Sequence, residues 1–557
     1  MATIRRERER IRSPAGSNLR TGDSLGEVGR EGLQPHEQVR SAELVAALCL
    51  ASDLGMGFPL EHGLQCALVS LRLAKRLGID RATASATYYA SLLSHAGCTT
   101  DAHVAAEVFG DSLTEHFIPV MYGPRREVFF GLVRALPEPN QAVPLRILQV
   151  ARGLPRMARE QQPLLSAMCE VAGMLATGVG APPEASHILA YLTDRWDGQG
   201  PLRRARGEEI PLPMRIVHVA ADVVLQRQLG GEGLAVRRAR ERAGVAFDPE
   251  IVACFTDAPG EVLGTERGGS VWEETLLGEP EPYLMLEGEA VDRALASMGR
   301  FTDLISPFLA GHSGGVADLA AAAVGQRRSG AEALMLRRAA LVHDLGRVAI
   351  GARIWQKPGA LSADEWEQVR LHPYHTERVL SRSPLLSALG QLAGGHHERL
   401  DGSGYHRGAA AAELSPLARL LAAADVYHAM LEPRPYRPAF APERAATKMA
   451  DEARSGRLDP EAVTAVIAAA GQQAPRLEHR GGLTDRETEV LGLVARGLQT
   501  KQVARALGIS VKTADHHIQA AYRKLGVSSR AAAALVAMEH GLLDWGEVPM
   551  VPPAHRA

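Results

Sequence analysis

The fold is decided by a stretch that occurs twice in the chain, as ERLDGSGYHRGAAAAELSPLARLLAAADV (398–426) and as DRWDGQGPLRRARGEEIPLPMRIVHVAADV (194–223). Both stretches begin with a turn that contains a DG pair, and both end in the string ADV. The two aspartates of these strings are 24 residues apart in one stretch and 25 apart in the other. Self-similarity of this length indicates two tandem copies of one domain.

Histidines upstream of each stretch support the repeat. His312 and His343 are 31 residues apart in the second copy, and His62 and His95 are 33 apart in the first. Aromatic residues make up only 4% of the 557 residues, so the cores must be aliphatic and alanine-rich, which favours helices. The sequence therefore predicts an all-α fold in which two helical domains follow one another.

Changes in composition divide the chain into segments. A basic tail precedes the first apolar run, a stretch rich in Gly, Glu and Pro separates the copies, and the string GQQAPRLEHRGG follows the second copy. The predicted segments are a disordered tail at 1–33, the first copy at 34–255, a linker at 256–286, the second copy at 287–470, a linker at 471–482, a compact domain at 483–545 and a Pro-rich tail at 546–557.

Composition also limits the compartment and the partners. No apolar run approaches the ~20 residues that cross a bilayer, and the charged N-terminus has no apolar signal core. The five cysteines form no CxxC pair and fit buried thiols in a reducing cytosol. We expect a cytoplasmic protein without a membrane partner. Because the formal net charge is -2, any nucleic-acid site must be a local basic patch.

The segment 483–545 has the pattern of four short helices. Thr484 and Glu487 have the spacing of a capping box at the start of the first helix. Two short helices that are joined by a tight, glycine-containing turn make a helix-turn-helix. Between residues 501 and 530, six basic residues stand against a single acid, Asp515, and this local excess suits contacts with phosphates.

This segment resembles the LuxR-type helix-turn-helix of transcription regulators over its full length. The resemblance implies that the third helix enters the major groove of double-stranded DNA, and that a homodimer binds two half-sites. By this resemblance, Lys512 and Thr513 hold phosphates, and His516 and Gln519 face base edges. Arg523 and Lys524 anchor the DNA backbone. Many family members are basic where this chain has Asp515. An acid there either accepts from cytosine N4 or weakens non-specific binding.

The second copy collects imidazoles and carboxylates that a core would not tolerate unpaired. The predicted metal ligands are His312, His343, Asp344, His372, His396, His397 and Asp425. A mixed set of this kind suits Fe, Mn or Zn rather than Ca or Mg, and the lack of thiolates argues against a closed structural zinc site. A carboxylate flanked by imidazoles can bridge two metals, which together activate water and stabilise phosphoryl oxygens during hydrolysis.

Five strings between about 290 and 450 resemble the HD-GYP phosphohydrolases: GHSGGVA, HDLGRVAI, KPGALSADEWEQVRLHP, HHERLDGSGYH and ADVYHAMLEPRPYR. The resemblance implies an all-helical fold and two divalent transition metal ions, Fe or Mn. It implies hydrolysis of a cyclic dinucleotide such as cyclic di-GMP, with Asp344 and Arg347 as catalytic residues. It also implies a substrate loop that is formed by Asp401, Gly402, Gly404 and Tyr405.

The second copy departs from the family pattern at five positions. Arg347 replaces a lysine of the family, Thr376 replaces a glycine, and His428 replaces an aspartate. His406 replaces a proline, and Phe308 stands where some members have a carboxylate. Without that carboxylate, a third metal is not expected. All ligand positions are kept while the substrate loop differs, so metal binding is a firmer prediction than the substrate.

The first copy has lost most of these ligands. His95 is followed by Ala96, Leu192 and Thr193 stand in place of the histidine pair, and Cys169 stands in place of a further histidine. The retained residues are His62, His95 and Asp222. We predict a pseudo-phosphohydrolase that binds no metal and is kept for packing, dimerisation or ligand sensing.

Two functions remain open at this stage. The first is a transcriptional regulator that carries a metal-dependent phosphodiesterase. The second is a catalytically inactive, nucleotide-sensing transcription factor whose nucleotide site controls the DNA-binding domain through the linker 471–482. An inert scaffold is disfavoured by the complete set of metal ligands in the second copy.

Overall fold

The computed structural model describes residues 38–99, 116–136, 143–264, 269–325, 329–473, 483–495, 498–527 and 532–533. Regular structure in these ranges is almost entirely helical, which confirms the all-α prediction. One antiparallel ladder pairs β1 (Val39–Arg40) with β2 (Met285–Leu286). No described helix is both long enough and apolar enough to cross a membrane. The predicted tails at 1–33 and 546–557 lie outside the described residues.

The first copy is a bundle of helices around a core of aliphatic residues. Its helices are α1 (Ser41–Met56), α2 (His62–Arg76), α3 (Arg81–Leu92), α4 (Arg125–Ala135), α5 (Val143–Gly178), α6 (Pro183–Ile188), α7 (Leu212–Arg242) and α8 (Pro249–Asp257). α1 is the central element, because 12 of its 16 residues are buried, and seven of these are alanines or leucines. Aspartate side chains cap two of the helices: Asp80 accepts from the Thr83 amide, and Asp248 accepts from the Glu250 amide.

The segment predicted as a linker, 256–286, has regular structure of its own. It contains α9 (Pro259–Leu263) and α10 (Val271–Leu277), which both pack against α2. Leu263 and Trp272 are buried there. The Gly and Pro residues mark the ends of two short helices, and burial of their apolar side chains ties the segment to the first copy. The second predicted linker is described only at 471–473.

The second copy repeats the bundle. Its helices are α11 (Glu289–Asp303), α12 (His312–Ala323), α13 (Gly330–Val342), α14 (Ala352–Trp355), α15 (Ala363–Arg370), α16 (His372–Leu380), α17 (Pro384–Ala393), α18 (Pro416–Leu431), α19 (Pro442–Arg454) and α20 (Pro460–Ala469). Capping boxes begin α13 and α15, where Ser329 pairs with Glu332 and Ser362 pairs with Glu365.

The same buried contact holds the start of the first histidine helix in each copy. In the first copy, Asp53 accepts a hydrogen bond from the Gly63 amide at 3.0 Å. In the second copy, Asp303 accepts from the Ser313 amide at 3.2 Å and from the Ser313 hydroxyl at 2.7 Å. The aspartate precedes the histidine of its helix by the same number of residues in both copies, so the repeat extends to details of local structure.

The two copies pack against each other reciprocally. α1 of the first copy lies against the 3-10 turn Leu345–Ala349 of the second, and α11 of the second copy contacts the turn Ala96–Thr99 of the first. The turn of the second copy begins two residues after His343, and the turn of the first copy begins directly after His95. The first copy therefore supports the turn that leaves the predicted metal centre.

The C-terminal domain is described over three helices, α21 (Asp485–Ala495), α22 (Thr500–Ala506) and α23 (Val511–Leu525). Val490, Val503 and Ile518 bring one face of each helix into a common core. The predicted capping box is present, because the Thr484 amide donates to Glu487 at 2.7 Å and the Glu487 amide donates back to the threonine hydroxyl. Nearly all of the fourth predicted helix falls outside the described residues.

Candidate metal centre

The second copy brings all seven predicted metal ligands together. They come from the starts of α12 and α16, from the turns after α13 and α17, and from the middle of α18. Six of them are buried, and only His397 has a partly exposed side chain. Elements that are far apart in sequence therefore converge on one point inside the bundle.

Asp344 lies between two groups of histidines. Its Oδ2 is 3.3 Å from Nε2 of His312 and 3.0 Å from Nε2 of His343. Its Oδ1 is 3.3 Å from Nε2 of His372 and 3.3 Å from Nε2 of His396. One carboxylate oxygen faces each group, which is the arrangement that a carboxylate needs to bridge two metal ions.

Each group is completed by a further residue. In the first group, Asp425 Oδ1 is 3.2 Å from Nε2 of His312 and 3.7 Å from Nε2 of His343. The second group consists of three imidazoles whose nitrogens lie within 4.8 Å of one another: His372, His396 and His397. The ligand set thus divides into two adjacent clusters that share Asp344.

Hydrogen bonds behind the imidazoles set their orientation. Nδ1 of His343, of His372 and of His396 each donates to the backbone carbonyl three residues earlier, at 2.7, 2.6 and 2.5 Å. Nδ1 of His312 lies 3.0 Å from a carboxylate oxygen of Glu432. A hydrogen bond at Nδ1 selects the tautomer and leaves Nε2 free as a metal ligand.

The donor set fits divalent transition metals. Within the described part of the chain, several buried atoms at this centre have no hydrogen-bond partner: Nε2 of His312 and His343, both oxygens of Asp344, and Oδ1 of Asp425. Of these, Oδ2 of Asp344 lies within ion-pair distance of Arg347. Buried polar atoms without partners are costly, and cations placed among them would satisfy all of them at once. Imidazole and carboxylate donors without thiolates are typical of Fe, Mn or Zn sites.

The titration of the ligands agrees with this reading. Burial lowers the pKa of His312, but Asp344 and Asp425 outweigh it and raise the pKa well above its usual value. Burial and the neighbouring His396 hold the pKa of His397 well below its usual range. Burial lowers the pKa of His372 to about 4. His372 and His397 are therefore neutral imidazoles, the form that binds metals, while His312 holds a proton that a metal would displace.

Two charged residues at this centre were missed by sequence reasoning. Glu432 contacts His312 and also pairs with Arg434 at 2.7 Å. The Arg434 side chain is only 11% exposed, and burial followed by repulsion from Arg347 lowers its pKa. Arg347 lies 2.8 Å from Asp344 and over the ring of Trp355. The available signal was the string LEPRPYR, which places charges directly after the helix that carries Asp425.

The departure at Thr376 has a structural role. This buried hydroxyl donates to the backbone carbonyl of His343 at 3.1 Å and accepts from the Gly346 amide at 2.8 Å. Gly346 has no room for a side chain, because a Cβ there would lie 2.1 Å from the carbonyl oxygen of His372. Thr376 thus ties α16 to the turn that carries both His343 and Asp344.

Tyr405 is the residue of the predicted substrate loop that faces the metal centre. Its ring centroid is 4.8 Å from that of His397. Gly404 is required beside it, because a Cβ would lie 2.4 Å from Cα of Glu398. The buried carboxylate of Glu398 then holds the loop by accepting from the Arg407 amide at 2.7 Å.

The other two predicted loop residues shape a turn. Asp401 is exposed and accepts from the Ser403 amide at 3.0 Å, and Gly402 has a positive φ of 75°. Both lie before the part of the loop that reaches the metal centre. Their predicted role in substrate binding remains a prediction.

The first copy arranges its retained residues differently. Phe58 stacks on His62 with ring centroids 4.3 Å apart and lies 5.1 Å from His95. Asp222 is paired with the buried guanidinium of Arg242. Among the described residues, every cluster of possible metal ligands lies in the second copy. The ring of Phe58 thus packs against both histidines, and Arg242 neutralises Asp222, so these three side chains are engaged by other groups.

The surface of α23 carries the predicted DNA contacts. All six residues are exposed: Lys512, Thr513, His516, Gln519, Arg523 and Lys524. Ala514, Ile518 and Ala521 form the buried face of the same helix. Lys524 differs from the other five, because its ammonium group also pairs with the buried carboxylate of Glu487 at 2.7 Å. The structure gives this lysine a partner that the sequence pattern did not reveal.

Comparison with family models identifies two regions. Residues 307–462 match the HD domain, and residues 482–537 match the luxR family of bacterial regulatory proteins. The HD match lies within the second copy and contains all seven candidate ligands. The luxR match begins just before α21 and extends beyond α23.

Similar proteins include phosphodiesterases of cyclic dinucleotides. A 3'3'-cGAMP-specific phosphodiesterase of Vibrio cholerae is 29% identical over 432 residues, which are 76% of this chain and 93% of that protein. A cyclic di-GMP phosphodiesterase of Pseudomonas aeruginosa is 36% identical over 170 residues, or 30% of this chain and 39% of that protein. A crystal structure of a Vibrio cholerae cyclic GMP-AMP-specific phosphodiesterase has a TM-score of 0.54 and 26% identity, and the match covers 78% of this chain and 98% of that one. A match of 432 residues is longer than either copy, so the similarity extends across both.

Proposed function

We propose that this chain, in which an HD domain precedes a luxR-family domain, is a DNA-binding transcriptional regulator with a metal-dependent phosphodiesterase for cyclic dinucleotides. The observation that carries the proposal is Asp344, whose two oxygens face two separate histidine groups. Two metal sites that share one carboxylate are suited to phosphodiester hydrolysis. The similar proteins from Vibrio cholerae and Pseudomonas aeruginosa support the assignment of the substrate class.

The seven ligands would hold two divalent transition metal ions, Fe or Mn. When bound, such a pair activates water and stabilises negative charge on the phosphoryl oxygens. The chain itself supplies the guanidinium groups of Arg347 and Arg434, which lie close enough for Arg347 to lower the pKa of Arg434. Two buried cations of this kind are stabilised by an anion between them, so we assign them to the phosphate oxygens of the substrate.

Cyclic di-GMP is the first candidate substrate and 3'3'-cGAMP the second. We expect the purified full chain, loaded with Mn²⁺ or Fe²⁺, to convert at least one of them to a linear dinucleotide that chromatography resolves. The same protein after EDTA treatment is the control and should release no product. Absence of product together with ligand-dependent DNA binding would support the inactive sensor instead. Absence of both effects would exclude both functions.

The DNA-binding half of the proposal rests on α23. Its exposed face carries Lys512, Gln519 and Arg523, while its opposite face is buried in the domain core. We assign this helix to the major groove and propose that a homodimer of the chain binds two half-sites about one helical turn apart. A protein that binds both DNA and a cyclic dinucleotide would act in the cytoplasm.

Replacing both Lys512 and Arg523 by alanine should weaken binding to duplex DNA of any sequence by roughly tenfold or more and reduce the salt slope by about two, because two phosphate contacts are lost. Gln519→Ala should instead change the sequence preference. Fluorescence anisotropy at several salt concentrations measures both effects. Arg454→Ala removes an exposed arginine in the second copy and is the control. Equal salt slopes for the double variant and the wild type would contradict the assignment.

A further inference from the structure

An exposed tryptophan lies at the edge of the metal centre. Trp366 is on α15, and 45% of its surface is exposed, although aromatic residues are only 4% of this chain. Its ring centroid is 6.1 Å from that of Tyr405, in an edge-to-face arrangement. The Tyr405 ring is in turn 4.8 Å from His397. A row of ring contacts thus leads from the second ligand group to an indole that is open to solvent.

Tyr405 itself offers little free ring surface. The ring of His397 lies near it at an interplanar angle of 33°, and the guanidinium carbon of Arg370 lies 5.7 Å from its centroid. Trp366 closes its edge. Along the row that passes through Tyr405, the next aromatic ring outward is the indole of Trp366. The two centroid distances place it at most about 11 Å from the His397 ring, which is within reach of the base of a nucleotide whose phosphate lies at the metals.

We propose that Trp366 is the stacking surface for a purine base of the bound cyclic dinucleotide, an inference that rests on the proposed function. Every base has a π-face, and stacking on an aromatic side chain binds a base without requiring a hydrogen-bond pattern. A base that covers the exposed indole would also bury its apolar surface, which favours binding. Trp366 thus holds the base while the charged groups deeper in the site bind the phosphate.

The test compares a substrate that has bases with one that has none. Trp366→Ala should raise the KM for cyclic di-GMP, and the Kd for its non-hydrolysable phosphorothioate analogue, by about tenfold, as expected for loss of one base stack. Hydrolysis of an abasic analogue of cyclic di-GMP, which keeps the phosphodiesters but has no aromatic ring, should be unchanged. Trp366→Phe should restore most of the affinity, because it keeps a π-face. Leu304→Ala, which removes an exposed apolar side chain elsewhere in the second copy, should affect neither substrate.

Three other outcomes would contradict the proposal. A Trp366→Ala protein that binds the analogue as tightly as the wild type would overturn the stacking role. An equal loss of activity on both substrates would overturn it as well, because it would show a structural role of the indole. Wild-type protein that binds no cyclic dinucleotide would overturn the proposed function as a whole, and the base platform with it.

Discussion

Asp344→Ala should lower the metal content of the full chain from about two ions to one or none and reduce hydrolysis of the cyclic dinucleotide by roughly 1000-fold or more, equivalent to ~4 kcal/mol of activation free energy. The reason is the position of the carboxylate, whose oxygens lie 3.0–3.3 Å from Nε2 of histidines in both groups. Its removal takes a ligand from both sites and leaves the Arg347 guanidinium without its partner. Elemental analysis and chromatography measure the two effects.

The variant has a matched control in the first copy. Asp344→Ala turns the second copy's His-Asp pair into the His-Ala pair that the first copy already has at His95 and Ala96. His95→Ala alters the equivalent histidine of the first copy, where no cluster of possible ligands is formed among the described residues. It should leave both metal content and hydrolysis unchanged. A loss of metal from His95→Ala that equals the loss from Asp344→Ala would show that the metal centre is wrongly placed.

Arg242→Ala should lower the free energy of unfolding by about 3–5 kcal/mol, because it leaves a buried carboxylate without its cation. The side chains of Arg242 and Asp222 are 2% and 1% exposed, and the guanidinium also donates to the carbonyl of Pro119 at 3.0 Å. Urea unfolding, followed by circular dichroism, measures the change. Arg76→Ala is the control, because that arginine pairs with exposed acids and should cost less than about 1 kcal/mol.

The loss in Arg242→Ala should depend on pH. Burial raises the pKa of Asp222 even with Arg242 beside it, and removal of the guanidinium should raise it further. Above the ordinary pKa of a carboxyl group, the folded variant then holds a proton that the unfolded chain has released, so its stability falls as the pH rises. The deficit should be smaller near pH 5 than near pH 8. A deficit that does not change with pH, or one no larger than that of Arg76→Ala, would contradict a buried ion pair in the first copy.

Much of the fold could be predicted from local patterns in the sequence. The two copies, the helical class and the helix-turn-helix could be predicted because repeated strings, helical spacing and capping residues act within a few residues of one another. The ligand types could be predicted because a buried core excludes unpaired imidazoles and carboxylates. At 256–286, the Gly and Pro residues predict a linker, while the two short helices within it depend on the burial of Leu263 and Trp272.

Other features depend on residues that are distant in sequence. Glu432 reaches His312 only because α18 ends beside the start of α12, and Phe58 stacks on His62 only in the folded first copy. No local pattern pairs Lys524 with Glu487, which lie on different helices. Residue type and spacing thus sufficed to recognise the repeat and to select the candidate ligands, while the division of those candidates into two groups around Asp344 was decided by tertiary packing. Directions of side chains at a shared site depend on how separate helices cross, and that geometry is set by the core as a whole.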